Sequence, residues 1–588
     1  MRFKTPKKIW ILFTALFVVG FFLLLGGRLV KAQIDCQNAG TNNISADDAQ
    51  YCADQLQNLI NVYLPAQNTN KKNLAALQSQ LDDIDNRISV LSKQLQAVAA
   101  DIKSRQEDIG FTQTIFDQKA KDQYTFLRLY DPVIPLLLSG SATQAFQEIS
   151  LRQIAADSDR KTIDGYAQDL AKLNNDELTL QKTKDSLASS QKQVEAQTNF
   201  LAGEVAKVDA YLASLSAKQQ SFIEAKQASL GLSRSAYNLN GGCSSDINPF
   251  KSPGFSPAIG FFTFGVPNRI GLNQYGAAGR ANAGQSAQQI LSAYYNADYS
   301  TGYNQSINIH VVGTNEYGQS INQTWQIDDY LKHLYEMPSS FPTEALKAQA
   351  IAARSFALAY TNNGSGTICP SQQCQVVKNE SHGSDAWSQA VDATRGIVLT
   401  SGGQPIKAWF SATHGGYAYT SSDIGWSATP WTKRLVDASA PVSSFSDLMN
   451  NAYDKSSPVF YCDWGSRASN NGTAWLTGQE VADVANVALL AERDGSTKPH
   501  LYQVDKPNPE GTDTWDAGTV KSELSGKGGT PIDTATSVSV NVDFGTGRTT
   551  SVVVNGQTIN GDDFKNYFDL RAPSNIQIVG PLYNVEIR

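Results

Sequence analysis

The sequence predicts an α+β protein: a long antiparallel α-helical coiled-coil hairpin followed by a mixed α/β domain. Three observations lead there. A heptad seam of apolar residues runs through the first part of the chain. A proline-containing break divides that part into two helical stretches. Beyond a Gly-, Ser- and Pro-rich stretch the heptads stop, and aromatics, glycines and short alternating runs take over.

The elements follow in order. "MRFKTPKK" is basic and Ile9 to Gly27 is continuously apolar, long enough to span a bilayer. The positive flank predicts a single-pass anchor within residues 1–30, with the bulk of the chain outside the cytoplasm. A cleaved signal, with small residues at Val30 and Ala32, would give a secreted protein with the same outside location. From Leu74 to Ile109 apolar residues recur at alternating steps of three and four, missing only at Arg105. Pro132 and Pro135 interrupt the helix. A second stripe runs from Ile163 to Leu215, so residues 45–235 are expected to fold back as a hairpin. Residues 236–257 read as a linker, and 258–588 as the mixed domain, with strand-like runs such as "INIHVVG" and "SVSVNVDF".

Composition excludes some functions. The net charge is −7 and only 18% of residues are charged, unlike a nucleic-acid binder. No P-loop, dinucleotide fingerprint, HExxH or GxSxG is present. Of the six cysteines, Cys36 and Cys52 are expected to pair. Cys369 and Cys374 either pair or bind metal.

One stretch carries chemistry: "YEMPSSFPTEALKAQAIAARSFALAY", Tyr335 to Tyr360. Ser339, Ser340 and Pro342 mark a helix start, and Leu346, Ala350, Ala353 and Ala357 make a face that a neighbour can approach closely. Gln349 stands among the alanines, where a buried amide needs partners. Glu336 sits between Tyr335 and Met337-Pro338, and a carboxyl among apolar groups suits a general acid.

This stretch resembles the signature of the SpoIID/LytB family, the stage II sporulation protein D and amidase-enhancer group. "CPSQQCQ" (Cys369 to Gln375), "AVDATRGIVLTSGGQPIKAWFSATHGG" (Ala390 to Gly416) and "DIGWSATPWTKRLVD" (Asp423 to Asp437) resemble further pieces in the same order. "GLNQYGAAGRANAGQSAQQILSAYY" (Gly271 to Tyr295) resembles a segment often found at that domain's end, while the chain's own end resembles the segment before it. The resemblance thus implies a permuted single fold over 258–588, with "LYNVEIR" lying beside "AIGFFTFGV". Two departures stand out: Asn273 replaces the family's Ser, and Gln372 and Gln373 occupy a loop where some members place a zinc-binding His.

The resemblance implies a peptidoglycan lytic transglycosylase acting on glycan strands, with Glu336 as its one catalytic acid/base. Asp328 and Asp329 are candidates for charge stabilisation. Ser411, Thr413, His414, Gly415, Gly416, Gln274 and Tyr275 would line the glycan groove, supported by Gln349 and Arg354. The alternative is a non-catalytic amidase enhancer or wall-binding module. No cofactor is expected; a disulfide at Cys369 and Cys374 is favoured over zinc, for which His382 and His414 are reserve ligands. The hairpin is similar to coiled-coil parts of EnvC- and PcsB-type wall-division proteins, which implies a membrane division partner, a cell-wall amidase or autoinhibition.

Overall fold

In the computed structural model, residues 35–41, 44–129, 141–229, 235–238 and 243–588 are described. The apolar run Ile9–Gly27 and the predicted break at Pro132 and Pro135 lie outside them. Among the described residues no helix is long and apolar enough to cross a membrane. The protein is α+β, with a long N-terminal helical hairpin and a C-terminal mixed region. It divides into two compact units, residues 61–212 and residues 1–60 with 213–588.

The first unit is the middle of two helices, α1 (Ala46–Leu129) and α2 (Ala142–Ser229). Their cross-links run in opposite directions along the chain, which makes the pair antiparallel. Gln67 donates to Asp209, Gln191 to Asp85 and Lys119 to Asp159, at 3.0, 2.5 and 2.7 Å. The seam from Leu74 to Val98 is half-buried, as expected where two helices have only each other to pack on. Arg105, the seam position without an apolar side chain, lies over the Tyr166 ring and pairs with Asp169.

Among the described residues, the second unit holds two large cores and three smaller clusters. One surrounds an alanine-rich helix, and its helices are α3 (Gln274–Asn282), α4 (Ala287–Tyr294), α5 (Ile327–Lys332), α6 (Thr343–Tyr360) and α7 (Ala386–Ala393). Ala348, Ala350, Ala352, Ala353 and Ala357 of α6 are fully buried, so its neighbours approach close to its backbone. The other core lies between the helices Gly478–Arg493 and Gly561–Arg571 and the antiparallel sheet of Val538–Asp543, Arg548–Val554 and Gln557–Asn560.

A second sheet ties the domain's beginning to its end. The strand Ile259–Phe264 pairs antiparallel with Tyr583–Ile587, in register from Ile259 opposite Ile587 to Thr263 opposite Tyr583. The adjacency that a permuted fold requires is therefore present. Tyr461–Cys462 pairs on the other side of the same strand.

The stretch read as a linker is pinned down instead. Ala236 and Ser245 are buried, and Cys243 is bonded to Cys462. The other disulfides are Cys36–Cys52 and Cys369–Cys374.

Candidate active site

Glu336 occupies the turn between α5 and α6. Its side chain is brought indoors by two backbone pairings to the segment after the Cys369–Cys374 loop. Tyr335 N–H donates to Val376 O at 2.8 Å, and Leu334 bridges to Val377. The Val376 N–H then donates to Glu336 Oε1 at 2.6 Å, which sets the carboxylate's orientation. Glu336 is only 4% exposed. Behind it, the Tyr330 hydroxyl donates to Gln375 Oε1 and the Gln375 amide to Ala353 O, so the segment 375–376 joins Glu336 to α6. Burial and the charge of Glu336 hold the Tyr330 hydroxyl well above its ordinary pKa.

The turn is braced from outside. His382 stacks on Tyr335 with ring centroids 4.0 Å apart. Its Nδ1 faces Asp385 Oδ2 at 2.8 Å and its Nε2 faces Leu334 O at 2.9 Å. Ser339, expected to start the helix, donates to the same Asp385 oxygen at 2.5 Å. A Ser, a His and an Asp thus meet, but Ser and Asp crowd one ring nitrogen and the other faces a carbonyl. A relay needs Ser and Asp on opposite nitrogens, so this is a clamp on the Glu336 turn. With both nitrogens engaged and Cys369 bonded to Cys374, the reserve metal set Cys369, Cys374 and His382 does not converge on an ion.

Glu336 lines a cavity of about 40 Å³ with Gln220, Ser235, Asn268, Phe356, Trp409 and Phe410, and with Gln372, Gln373 and Cys374 of the disulfide loop. That volume holds a few waters and no sugar ring. One side is closed by residues 235–238, a strap following α2. The Ser235 hydroxyl and the Tyr237 N–H both donate to Glu336 O, at 2.8 and 3.2 Å. Tyr237 packs edge-on to Tyr335, and the Lys378 ammonium lies over both rings.

The other predicted site residues are interior and build two different arrangements. The first is an amide relay: Ala236 N–H donates to Gln274 Oε1 at 2.8 Å, and Gln274 Nε2 lies 3.4 Å from Gln349 Oε1. Both glutamines are fully buried, so neither lines a groove. Tyr275 is half-buried against Phe341. The second surrounds Asp454. Its Oδ2 accepts from Asn273 Nδ2, Thr413 Oγ1 and the N–H groups of His414, Gly415 and Gly416, at 2.7 to 3.3 Å. The glycines serve this turn. Gly415 and Gly416 have φ of +64° and +81°, and a Cβ on Gly415 would come 2.3 Å from Phe264 backbone. Ser411, also buried, donates to Asn268 O.

His414 is 1% exposed, and neither ring nitrogen has a hydrogen-bond partner in the protein. Burial, with the Arg269 charge, holds its pKa well below the ordinary histidine value. It is a neutral core residue beside Tyr294, and correcting its predicted place in a groove follows from that burial. Asn273, the departure from the family pattern, also donates to Asp437, whose carboxylate takes Arg280 and Tyr294.

Arg354 is likewise structural. Its guanidinium bonds Asp328 Oδ1 at 2.9 and 3.0 Å and reaches Val391 O and Ile397 O, locking α6 to α5 and α7. Asp328 is thereby committed to Arg354, and Asp329 is exposed. The residues that sequence reasoning missed are Trp409, Phe410, Asn268 and the strap. The aromatic pair immediately before Ser411 was the available signal.

Comparison with known proteins locates this arrangement. The model of the Stage II sporulation protein family matches residues 315–401, a span that contains Glu336, α6 and the disulfide loop. The chain is 34% identical over 192 residues to stage II sporulation protein D of Bacillus subtilis, covering 29% of this chain and 56% of that protein. It is 29% identical over 187 residues to the amidase enhancer of the same organism, covering 30% of this chain and 24% of that protein. Stage II sporulation protein D of Bacillus amyloliquefaciens is 35% identical over 118 residues, or 17% of this chain and 34% of its own length. The chain thus spans about a quarter to about half the length of the two B. subtilis relatives. No solved structure matches. Residues 315–401 of this chain thus carry the part that matches the SpoIID family, and Glu336 lies within that part.

Proposed function

We propose that the protein remodels the bacterial cell wall and that it cleaves peptidoglycan glycan strands as a lytic transglycosylase, with Glu336 as acid/base. The observation that carries the reading is the buried Glu336 carboxylate, oriented by the Val376 N–H and facing a cavity walled by Trp409 and Phe410. In this chemistry one carboxyl protonates the glycosidic oxygen. It then takes the proton from the sugar's own C6 hydroxyl, which closes a 1,6-anhydro ring. No second carboxylate at hydrolase spacing is needed, in keeping with the commitment of Asp328 to Arg354.

The 40 Å³ cavity makes the described conformation a resting one. A sugar reaches Glu336 when Ser235 and Tyr237 leave it. A partner acting on the hairpin, at the membrane or in the wall, would supply that displacement. Incubating the full chain with purified glycan strands and analysing the products by mass spectrometry tests the assignment. Anhydro ends that depend on Glu336 are expected. Intact strands, with or without strap substitutions, would remove the activity.

The second reading is a non-catalytic enhancer of a cell-wall amidase, favoured by the closed cavity and by the likeness to the amidase enhancer. It predicts intact glycan and faster stem-peptide release by an added amidase.

A further inference from the structure

Beside the Glu336 cavity lies a much larger one, of about 560 Å³, within the same unit. We propose that it is a saccharide subsite that holds a stretch of glycan strand extending beyond Glu336. The proposal rests on the glycan reading above, but on the substrate's class rather than on its cleavage.

Size and continuity come first. The volume falls in the range of small-molecule sites. A neighbouring cavity of about 330 Å³ shares Asp54 and Lys226 with it, so the space continues. Toward Glu336, Asn268 lines both cavities. Trp409 lines the Glu336 cavity and Trp426 the larger one, with their ring centroids 5.5 Å apart. The two indoles form a continuous aromatic edge between the sites.

The lining chemistry selects a sugar. Asp54 and Asp562 face the space together with Lys226 and Arg548. Mixed signs suit hydroxyl and amide groups, which both donate and accept. They do not suit a polyanion, which wants one sign. Gln219, 5% exposed, lines the cavity from the base of α2 and donates through Nε2 to Gln57, while its carbonyl oxygen has no protein partner. A buried acceptor left open costs stability unless a donor meets it, and a sugar hydroxyl is such a donor. Gly580, also lining the cavity, covers Arg269, whose Nε and Nη1 have no protein partner. A Cβ there would fall 1.6 Å from Nη1. Trp426 supplies an apolar face for the C–H side of a pyranose ring.

The test uses the full chain carrying Glu336→Gln, so that the probe is not consumed. N-acetylglucosamine oligomers of two and of six units are titrated by calorimetry and by tryptophan fluorescence. The hexamer is expected to bind about tenfold or more tightly than the dimer. Trp426→Ala should abolish that advantage, Trp426→Phe retain part of it, and Gln219→Leu weaken it severalfold, each with an unchanged circular dichroism spectrum. Equal affinities for the two oligomers, no binding of either, or an advantage that survives Trp426→Ala in a folded variant would overturn the subsite. A length-dependent affinity in a protein that leaves glycan intact would keep the subsite and sink the cleavage reading. Cleavage without length dependence would do the reverse.

Discussion

Two buried carboxylates, Glu336 and Asp454, sit in one unit and differ in what their oxygens do. Asp454 Oδ2 gathers an amide, a hydroxyl and three successive backbone N–H groups into a closed turn. Glu336 has its Oε1 set by one backbone N–H, and its side chain borders a cavity. Burial alone therefore does not mark chemistry. A carboxylate wrapped by five donors is a structural anion; one that borders a cavity and an aromatic wall is the candidate for chemistry.

The sharpest test substitutes the two in parallel. Glu336→Gln should lower glycan cleavage by about two to four orders of magnitude while leaving the melting temperature nearly unchanged. Asp454→Ala should unfold more easily by about 3–5 kcal/mol, because five donors lose a buried acceptor. Urea titration measures it, and a loss below about 1 kcal/mol would erase the distinction between the two sites. Next in size is the strap. Ser235→Ala with Tyr237→Ala removes the side-chain hydrogen bond and the ring contact that hold the strap on Glu336. Cleavage should rise about tenfold; an unchanged rate would mean that the strap does not limit access.

The smallest effect concerns His414. Its folded pKa is depressed by burial and by Arg269. Below about pH 6.5 the unfolded chain takes up a proton that the native core refuses, so ν_U exceeds ν_N and stability falls as pH falls from there toward the folded pKa. The slope contributed is at most about 1.4 kcal/mol per pH unit. Removing the imidazole and its two unpartnered nitrogens in His414→Leu should flatten the decline between pH 7 and 5. If melting curves of the variant keep the wild-type slope, His414 is not the group responsible.

How much of this was legible depends on the range of the interactions. The two helices could be read because heptads are local: spacing announces a packed seam, and the proline-containing break pointed to the next helix, rather than a second copy, as its partner. Glu336 was singled out by the resemblance of its turn and helix to the family signature, and the pairing of Ile259–Phe264 with Tyr583–Ile587 was implied by the family's order of segments. The walls of the cavity were hidden, since Gln220, Asn268 and Trp409 come from distant stretches that meet only in the fold. Gly415 and Gly416 were misread for a physical reason. A glycine pair that lets backbone wrap a carboxylate looks the same in sequence as one that lets backbone approach a sugar. Arg354 and Gln349 were expected to support a groove, but the groups they meet, Asp328 and Gln274, are core groups. The "linker" was read from its Gly, Ser and Pro content, and nothing local in it announces the bond from Cys243 to the distant Cys462.

The covalent bond between Cys243 and Cys462 has a mechanical consequence. Tension applied along α2 passes from Ser229 through residues 235–238 and arrives at Cys243. From there it divides between the main chain and the strand Tyr461–Cys462, which is anchored in the sheet that closes the domain. Any displacement that lifts Ser235 and Tyr237 from Glu336 would therefore end at Cys243, with the pairing of Ile259–Phe264 with Tyr461–Cys462 left in place.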